Sequence, residues 1–218
     1  MAYSGDVRVG GPADERQLRG LVVTKLAVGP WENNVYLLRD RATGKGLLID
    51  AADEAGRLLE LVGDAPPATV VTTHGHADHW QALRAVVRST GARTVAHPLD
   101  ADELPLDVDE TVEHGDTVSV GSSALTVIHL RGHTPGSIAL RYDDPEEVTH
   151  LFTGDSLFPG GPGNTWQDPV RFGSLMDDLE ARVFGELGDD TWVYPGHGRD
   201  TTLGAERPSL PEWRARGW

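Results

Sequence analysis

Four side chains able to bind a metal lie within six residues of one another, in Thr72-Thr73-His74-Gly75-His76-Ala77-Asp78-His79. An apolar run reads as a strand over Thr69–Thr73, and a helix is expected over His79–Ser89, where Leu83, Val86 and Val87, with Thr90 just beyond, recur at helical spacing. The cluster therefore stands where a strand turns into a helix. Two residues apart at the end of an extended segment, His74 and His76 face one side and can chelate one ion. Asp78 and His79, in the turn, aim a few ångströms away, which suggests a second ion. The small residues Gly75 and Ala77 between them let the backbone approach closely.

Three further segments are built the same way. Gly132-His133-Thr134-Pro135-Gly136-Ser137 follows a strand expected at Ala124–Leu130, Thr153-Gly154-Asp155-Ser156 follows one at Val148–Phe152, and Pro195-Gly196-His197-Gly198 follows one at Thr191–Tyr194. One isolated His pair would read as a polar loop. Four clusters at strand ends read as a site, because a layered fold gathers its active residues there. Cysteine is absent, so disulfides, thiolate ligands and a Cys nucleophile are excluded. Any metal centre is made of imidazole and carboxylate, a donor set that suits zinc, iron or manganese.

The rest of the chain is consistent with a layered α+β fold. Further strands are expected at Leu21–Val28, Asn34–Arg39, Gly46–Asp50, Thr94–Ala96, Thr117–Val120 and Ser137–Tyr142. Helices are expected at Glu54–Val62 and Ser174–Gly185, the latter capped by Ser174. With 218 residues and no repeat or linker, one domain is expected, with residues 1–19 and 206–218 peripheral. The formal charge of −15 would repel a phosphate backbone, which argues against nucleic acid as a partner. No apolar run approaches the roughly 20 residues needed to span a bilayer, and Met1–Gly20 lacks the pattern of a secretory signal. A cytoplasmic location is expected, without a membrane partner.

The four motifs, THGHADH, GHTPGS, FTGDSLF and PGHG, occur in the order in which they occur in the metallo-β-lactamase superfamily. More narrowly the chain resembles the glyoxalase II-like hydrolases of that superfamily, over about residues 21–204. The resemblance implies an αββα four-layer sandwich with a binuclear site on one edge. By that resemblance His74, His76 and His133 would hold one metal, Asp78, His79 and His197 the second, and Asp155 would bridge both. Two divalent ions, zinc first with iron or manganese as alternatives, would be the cofactors.

Two ions a few ångströms apart lower the pKa of a shared water towards about 7 and supply a nucleophile at neutral pH. Asp78 is the candidate catalytic residue, orienting that water or taking its proton. Relatives differ in ways that narrow the chemistry. Flavodiiron proteins carry Glu where this chain has His76, many β-lactamases lack the bridging carboxylate, and quorum-sensing lactonases place a Tyr soon after it, where this chain has Ser156-Leu157-Phe158. The expected activity is hydrolysis of a small acyl substrate, a thioester first, because a thiolate leaves without a general acid. Only 21 residues follow His197, and Gly163-Asn164-Thr165-Trp166 replaces the Gly-Arg-Thr-Asp stretch of glutathione-using relatives. The C-terminal helical domain that binds glutathione is therefore expected to be missing. A mononuclear iron persulfide dioxygenase, using His74, His133 and Asp155, is the alternative with different chemistry, and a lactone or β-lactam hydrolase is the other. The candidate substrate-binding residues are Phe158, Trp166 and Phe172, set around the Gly-rich stretch 160–163, and Trp31, in a loop before a strand that relatives place beside the active-site mouth. His129 is expected to support the ligands, and Trp213 and Trp218 to pack on the body or on a second copy in a homo-oligomer.

Overall fold

The structure is a computed structural model that describes residues 3–145 and 148–217. Trp218 lies outside the described residues. Two sheets carry the fold. The first runs in the order β1 (Asp14–Gln17), β2 (Leu21–Val28), β3 (Asn33–Asp40), β4 (Gly46–Ile49), β5 (Pro67–Val71), β6 (Arg93–Ala96) and β7 (Glu110–Thr111). The second is built from β8 (Thr117–Val120), β9 (Ser123–His129), β10 (Ile138–Asp143) and β11 (Thr149–Gly154), followed across the sheet by β14 (Trp192–Pro195) and β15 (Thr201–Thr202). Between β11 and β14 in sequence, β12 (Leu157–Phe158) and β13 (Gly161–Pro162) form a small separate hairpin.

Neighbouring residues of the central strands serve different layers, because successive side chains of a strand point to opposite faces. Leu38, Leu47 and Val71 meet Val127, Leu140, Phe152 and Tyr194 between the sheets. Their neighbours Leu37, Leu48 and Val70 pack instead on Leu58 and Val62 of α1 (Ala55–Val62) and on Leu83 and Val86 of α2 (Leu83–Thr90). Ile128, Ala139, Leu151 and Val193 cover the far face of the second sheet with Leu175, Met176 and Trp213. The layers are thus α/β/β/α. Strands buried on both faces are apolar throughout, which is why they read as continuous runs rather than alternating ones.

Several boundaries differ from the sequence reading. Helix α3 spans Pro169–Asp178 and starts five residues before Ser174. Asp168 caps it, accepting from the backbone N–H of Val170 and Arg171, with Pro169 in the first turn, where its missing N–H costs nothing. The chain continues from α3 as a wider π-helical segment, Leu179–Phe184. The helix expected from His79 is a single 3₁₀ turn, Ala77–His79, followed by α2 from Leu83. Neither end is merely peripheral. β1 extends the first sheet beside β2, and α4 (Leu203–Glu206) and α5 (Leu210–Arg216) place Trp213, 2% exposed, against Phe184. Among the described residues no helix is long and apolar enough to cross a membrane.

β4 and β5 are parallel, and so are β11 and β14. Two antiparallel steps, β9 to β10 and β10 to β11, align β9 with β11 as well. The C-terminal ends of β9, β11 and β14 therefore meet at one edge of the second sheet. The backbone N–H of Ile138 donates to Thr73 O at 2.9 Å, and Asn34 N–H to Gly196 O at 2.7 Å, tying that edge to the first sheet.

Candidate metal centre

All seven candidate ligands come together at this edge. His74, His76 and His133 form one group, Asp78, His79 and His197 a second, and His74, His79 and Asp155 a third, with the ligand atoms of each group within 4.8 Å of one another. Asp155 stands between the first two. Its Oδ1 is 3.4 Å from His79 Nε2, and its Oδ2 is 3.6 Å from His133 Nε2 and 3.4 Å from His197 Nε2.

The protons of the imidazoles can be read from their outer partners. His133 Nδ1 donates to Asn164 O at 2.9 Å, and His197 Nδ1 to Trp31 O at 2.8 Å. His79 Nδ1 donates to Asp50 Oδ2 at 2.9 Å. The Thr73 hydroxyl gives its one proton to Asp50 Oδ2 at 2.8 Å and so accepts from His74 Nδ1 at 3.0 Å. Four rings therefore aim an Nε2 lone pair inward, the arrangement that metal-binding imidazoles show when their other nitrogen is held by a carboxylate or carbonyl. His74 Nε2, His133 Nε2 and Asp155 Oδ1 are buried with no hydrogen-bond partner. Buried polar atoms are rarely left so, and divalent cations at the ligand groups these atoms belong to would satisfy them. The residues present fit a metal centre.

The charges agree. Burial and the neighbouring His79 hold His74 well below the ordinary imidazole range, and burial brings His133 down to about 4. Burial also opposes charge on His79 and His197. It is outweighed by Asp155 and Asp50 at His79, which is raised well above its ordinary value. At His197 it is outweighed by Asp155 and Asp78, which push it up to about 9. Burial favours a neutral Asp155 and Asp78, but the facing histidines hold both carboxyls well below their usual range, so both are ionised. The site is preset for cations.

Three residues that the sequence reading did not single out hold the ligands in place. Asp50 ends the run Gly46–Asp50 with φ +57° and binds Thr73 N–H at 2.7 Å besides His79 and the Thr73 hydroxyl. A lone acid after an apolar strand was the signal. Asn33 Nδ2 donates to Asp78 Oδ2 at 2.9 Å. Asp100, 2% exposed, accepts from Gly75 N–H at 2.8 Å, Gly136 N–H at 2.7 Å and the Thr134 hydroxyl at 2.5 Å. It thus clamps the loop of His74 and His76 to the loop of His133. Nothing local in the sequence marked it.

The four aromatic candidates are placed differently from one another. The Trp166 ring stacks on His133 at 5.3 Å and 29°, meets His76 edge-on at 5.3 Å, and is half-exposed. Trp166 and Gln167 have φ of +54° and +60°, a strained conformation for two consecutive residues with side chains. Trp31 is exposed, and its carbonyl holds His197. Phe158 lies 6.3 Å from the His197 ring. Phe172 is turned away: it is buried among Leu175, Met176 and Trp213 and lines a 510 Å³ cavity whose walls, Gln167, Pro169, Gly173, Arg214 and Gly217, include none of the seven ligands. That follows from the earlier start of α3, which places Phe172 inside a helix rather than on the Gly-rich lip. His129 donates to or accepts from the Pro135 carbonyl through Nε2; since a carbonyl only accepts, the ring donates, at 2.8 Å, while stacking on His97 at 4.0 Å.

Comparison with known proteins agrees with this architecture. The metallo-β-lactamase superfamily model matches residues 28–197, and the chain belongs to that superfamily of metallohydrolases. An uncharacterised protein of Aquifex aeolicus is 32% identical over 88% of this chain and 96% of its own length. A hydroxyacylglutathione hydrolase of Anaeromyxobacter dehalogenans is 37% identical over 76% of this chain, which spans 61% of that enzyme's length. Among solved structures, ETHE1 from Myxococcus xanthus superposes with a TM-score of 0.77 at 32% identity, over 88% of this chain and 84% of that one. A di-iron-bound form of TTHA1623 superposes with a TM-score of 0.70, also at 32% identity, over 86% of this chain and 98% of that one.

Proposed function

We propose that this protein is a binuclear metal-dependent hydrolase of a small acyl substrate, a thioester first, with zinc as the metal and iron or manganese as alternatives. The observation that carries the proposal is the position of Asp155 between two groups of inward-facing ligands, His74–His76–His133 and Asp78–His79–His197. When bound there, two divalent ions would lower the pKa of a water at the site and polarise the carbonyl to be attacked. The chain's residues supply the rest. Asp78, ionised and held by Asn33, would accept the proton of the attacking water. Trp166 covers the first group and keeps bulk water from that side. Asp50 and the Trp31, Asn164 and Thr73 oxygens keep the rings oriented throughout the reaction. A thiolate leaving group suits a site in which Asp78 and Asp155 are both ionised, because it departs without a proton from the protein.

The partner in this reading is a small molecule, in the cytoplasm, with no nucleic acid or membrane involved. The similarity to hydroxyacylglutathione hydrolases supports thioester chemistry, and the departure at Asn164 and Trp166 speaks for a thiol other than glutathione. A second reading rests on one observation. The buried ligand atoms without partners, His74 Nε2, His133 Nε2 and Asp155 Oδ1, are themselves a two-His, one-carboxylate set of the kind that binds a single iron in oxygenases, as a persulfide dioxygenase requires.

One substrate panel separates the two. Protein loaded with zinc, manganese or iron is assayed on acyl thioesters of several thiols, a lactone and a β-lactam, and for oxygen uptake on a persulfide, with His133→Ala as control. Thioester turnover that needs His133 and two equivalents of metal is the expected result. Oxygen uptake by the iron form, with no hydrolysis, would replace the hydrolase reading with the second.

A further inference from the structure

Beside His76 the surface opens into a cavity of 260 Å³, edged by Leu99, Pro135, Glu103 and Arg171 and floored by Gly75, Asp100 and Thr134. It falls just short of the roughly 300–1,000 Å³ of pockets that enclose a whole ligand, so it suits one head group of a substrate whose reacting bond lies at the metal centre. Its charges are unusual. Arg171 and Glu103 line the same small space, yet among the described residues they do not pair with each other or with any other charged group.

Each is held in its own way. Arg171 donates from Nε to Gly132 O at 3.0 Å and from Nη2 to His133 O at 2.7 Å, and its guanidinium lies 4.6 Å from the Trp166 ring centre. These contacts fix the group without neutralising it, and they leave Nη1 unused. Glu103 packs its stem against Gly75, where an added Cβ would stand 3.0 Å from Glu103 Cβ. Its carboxylate has no hydrogen-bond partner among the described residues. The third charged wall, Asp100, already accepts three hydrogen bonds, from Gly75, Thr134 and Gly136, and is thereby tied to its own loops. What remains is one fixed cation and one free anion across a small space, with the exposed Leu99 at its lip.

A simple anion would be attracted by Arg171 and repelled by Glu103, and a simple cation the reverse. A group carrying both charges is complementary to both walls. We propose that this cavity is the recognition subsite for an α-amino-carboxylate group on the substrate, Arg171 binding the carboxylate and Glu103 the ammonium. The reading rests on the acyl-hydrolase assignment only for where the reacting bond lies, and it narrows the substrate to compounds derived from an amino acid.

Binding without turnover tests it. Zinc-loaded protein is titrated, by ligand-observed NMR, with S-methyl-L-cysteine, its N-acetyl derivative and 2-(methylthio)ethylamine, thioethers that lack the ammonium charge in the second case and the carboxylate in the third. S-Methyl-L-cysteine is expected to bind about tenfold more tightly than either, the size of one charge-assisted contact. Glu103→Gln should erase its advantage over the N-acetyl compound, and Arg171→Met its advantage over the amine. Equal affinities for all three in the wild type, or a uniform loss of all three in both variants, would overturn the proposal. If Arg171→Met fails to fold, the wild-type ranking and the exposed Glu103→Gln decide alone. An absence of acyl hydrolysis would leave these affinities unchanged, so the two readings fail separately.

Discussion

His79 and His197 point their Nε2 atoms at each other across 3.2 Å. Each ring has committed its other nitrogen as a donor, His79 to Asp50 and His197 to the Trp31 carbonyl. Two lone pairs face to face need a cation between them, whether a proton or a metal. In the metal-free protein that cation is a proton, and both imidazoles are held above their ordinary range, His197 at about 9. A group whose folded pKa is raised stays protonated until the pH passes that value. Metal binding at pH 7 must therefore expel protons, because a coordinating imidazole is neutral. Zinc titrations by calorimetry in buffers of different ionisation enthalpy should show at least one proton released per chain, with the release shrinking above pH 9. No release at pH 7 would contradict this charge assignment.

Asp50 holds the candidate ligand His79 directly and reaches His74 through Thr73. Asn at this position keeps the left-handed backbone, which it tolerates better than most residues, but removes the charge behind His79. Asp50→Asn should weaken binding of the metal at the Asp78–His79–His197 group by about 10–100-fold. Competition with a chromophoric chelator measures it, and an unchanged affinity would deny Asp50 a role in orienting the ring.

Asp100 receives three donors from two loops in a buried setting. Asp100→Ala leaves those donors without a partner, at about 1–3 kcal/mol for a buried unsatisfied group. Urea unfolding of the metal-free protein should show a loss of about 3 kcal/mol or more. The same variant should also bind less metal at the His74–His76–His133 group, since its loops are no longer clamped together.

The Arg131–Asp178 pair, neither of whose members is a candidate ligand, gives a pH signature of its own. Burial favours a protonated Asp178, but Arg131, donating from Nε at 2.8 Å, Nη2 at 2.7 Å and its backbone N–H at 2.9 Å, outweighs it and lowers the carboxyl pKa. A depressed carboxyl contributes stability above its unfolded value, near 3.9, and loses it as pH falls through the folded value. Asp178→Asn should thus cost about 1–2 kcal/mol at pH 7, kept modest because Arg131 is half-exposed. The gap to wild type should close as the pH drops below 4. A gap that persists at low pH would assign the effect to packing rather than charge.

Gly196 illustrates how closely the backbone approaches the ligands. A Cβ there would overlap Asp155 Oδ1 and stand 2.8 Å from His79 Cε1. Gly196→Ala should therefore reduce bound zinc from two equivalents to one or none by elemental analysis while the far-ultraviolet dichroism stays native. Full metal content in this variant would show that the site yields more easily than its packing implies.

The seven candidate ligands could be picked out of the sequence because each sits in a short motif just past an apolar strand, and the resemblance to the superfamily supplied their grouping. The layers were legible too, since runs such as Leu47–Leu48 and Leu151–Phe152 are apolar at consecutive positions and so must be covered on both faces. The start of α3 was misplaced although Asp168-Pro169 carries both a cap and a first-turn proline, because the preceding Gly-rich stretch drew the whole segment into a loop; Phe172 was displaced with it. The π-helical turn at Leu179–Phe184 has no local signature at all. Asp50, Asp100 and Asn33 were missed for a different reason. The side-chain partners that tie each to the site lie 23 or more positions away, so only the folded chain shows what it binds.

The proposed acyl hydrolysis would need divalent metal at both ligand groups, with Asp155 between them. Its most direct test is thioester turnover by metal-free protein reconstituted with zero, one and two equivalents of zinc, for the wild type and Asp155→Ala. Turnover that is absent without metal, rises steeply with the second equivalent and is lost in Asp155→Ala is the predicted result. Turnover without metal, a full rate with a single equivalent, or an Asp155→Ala variant as active as the wild type would contradict it.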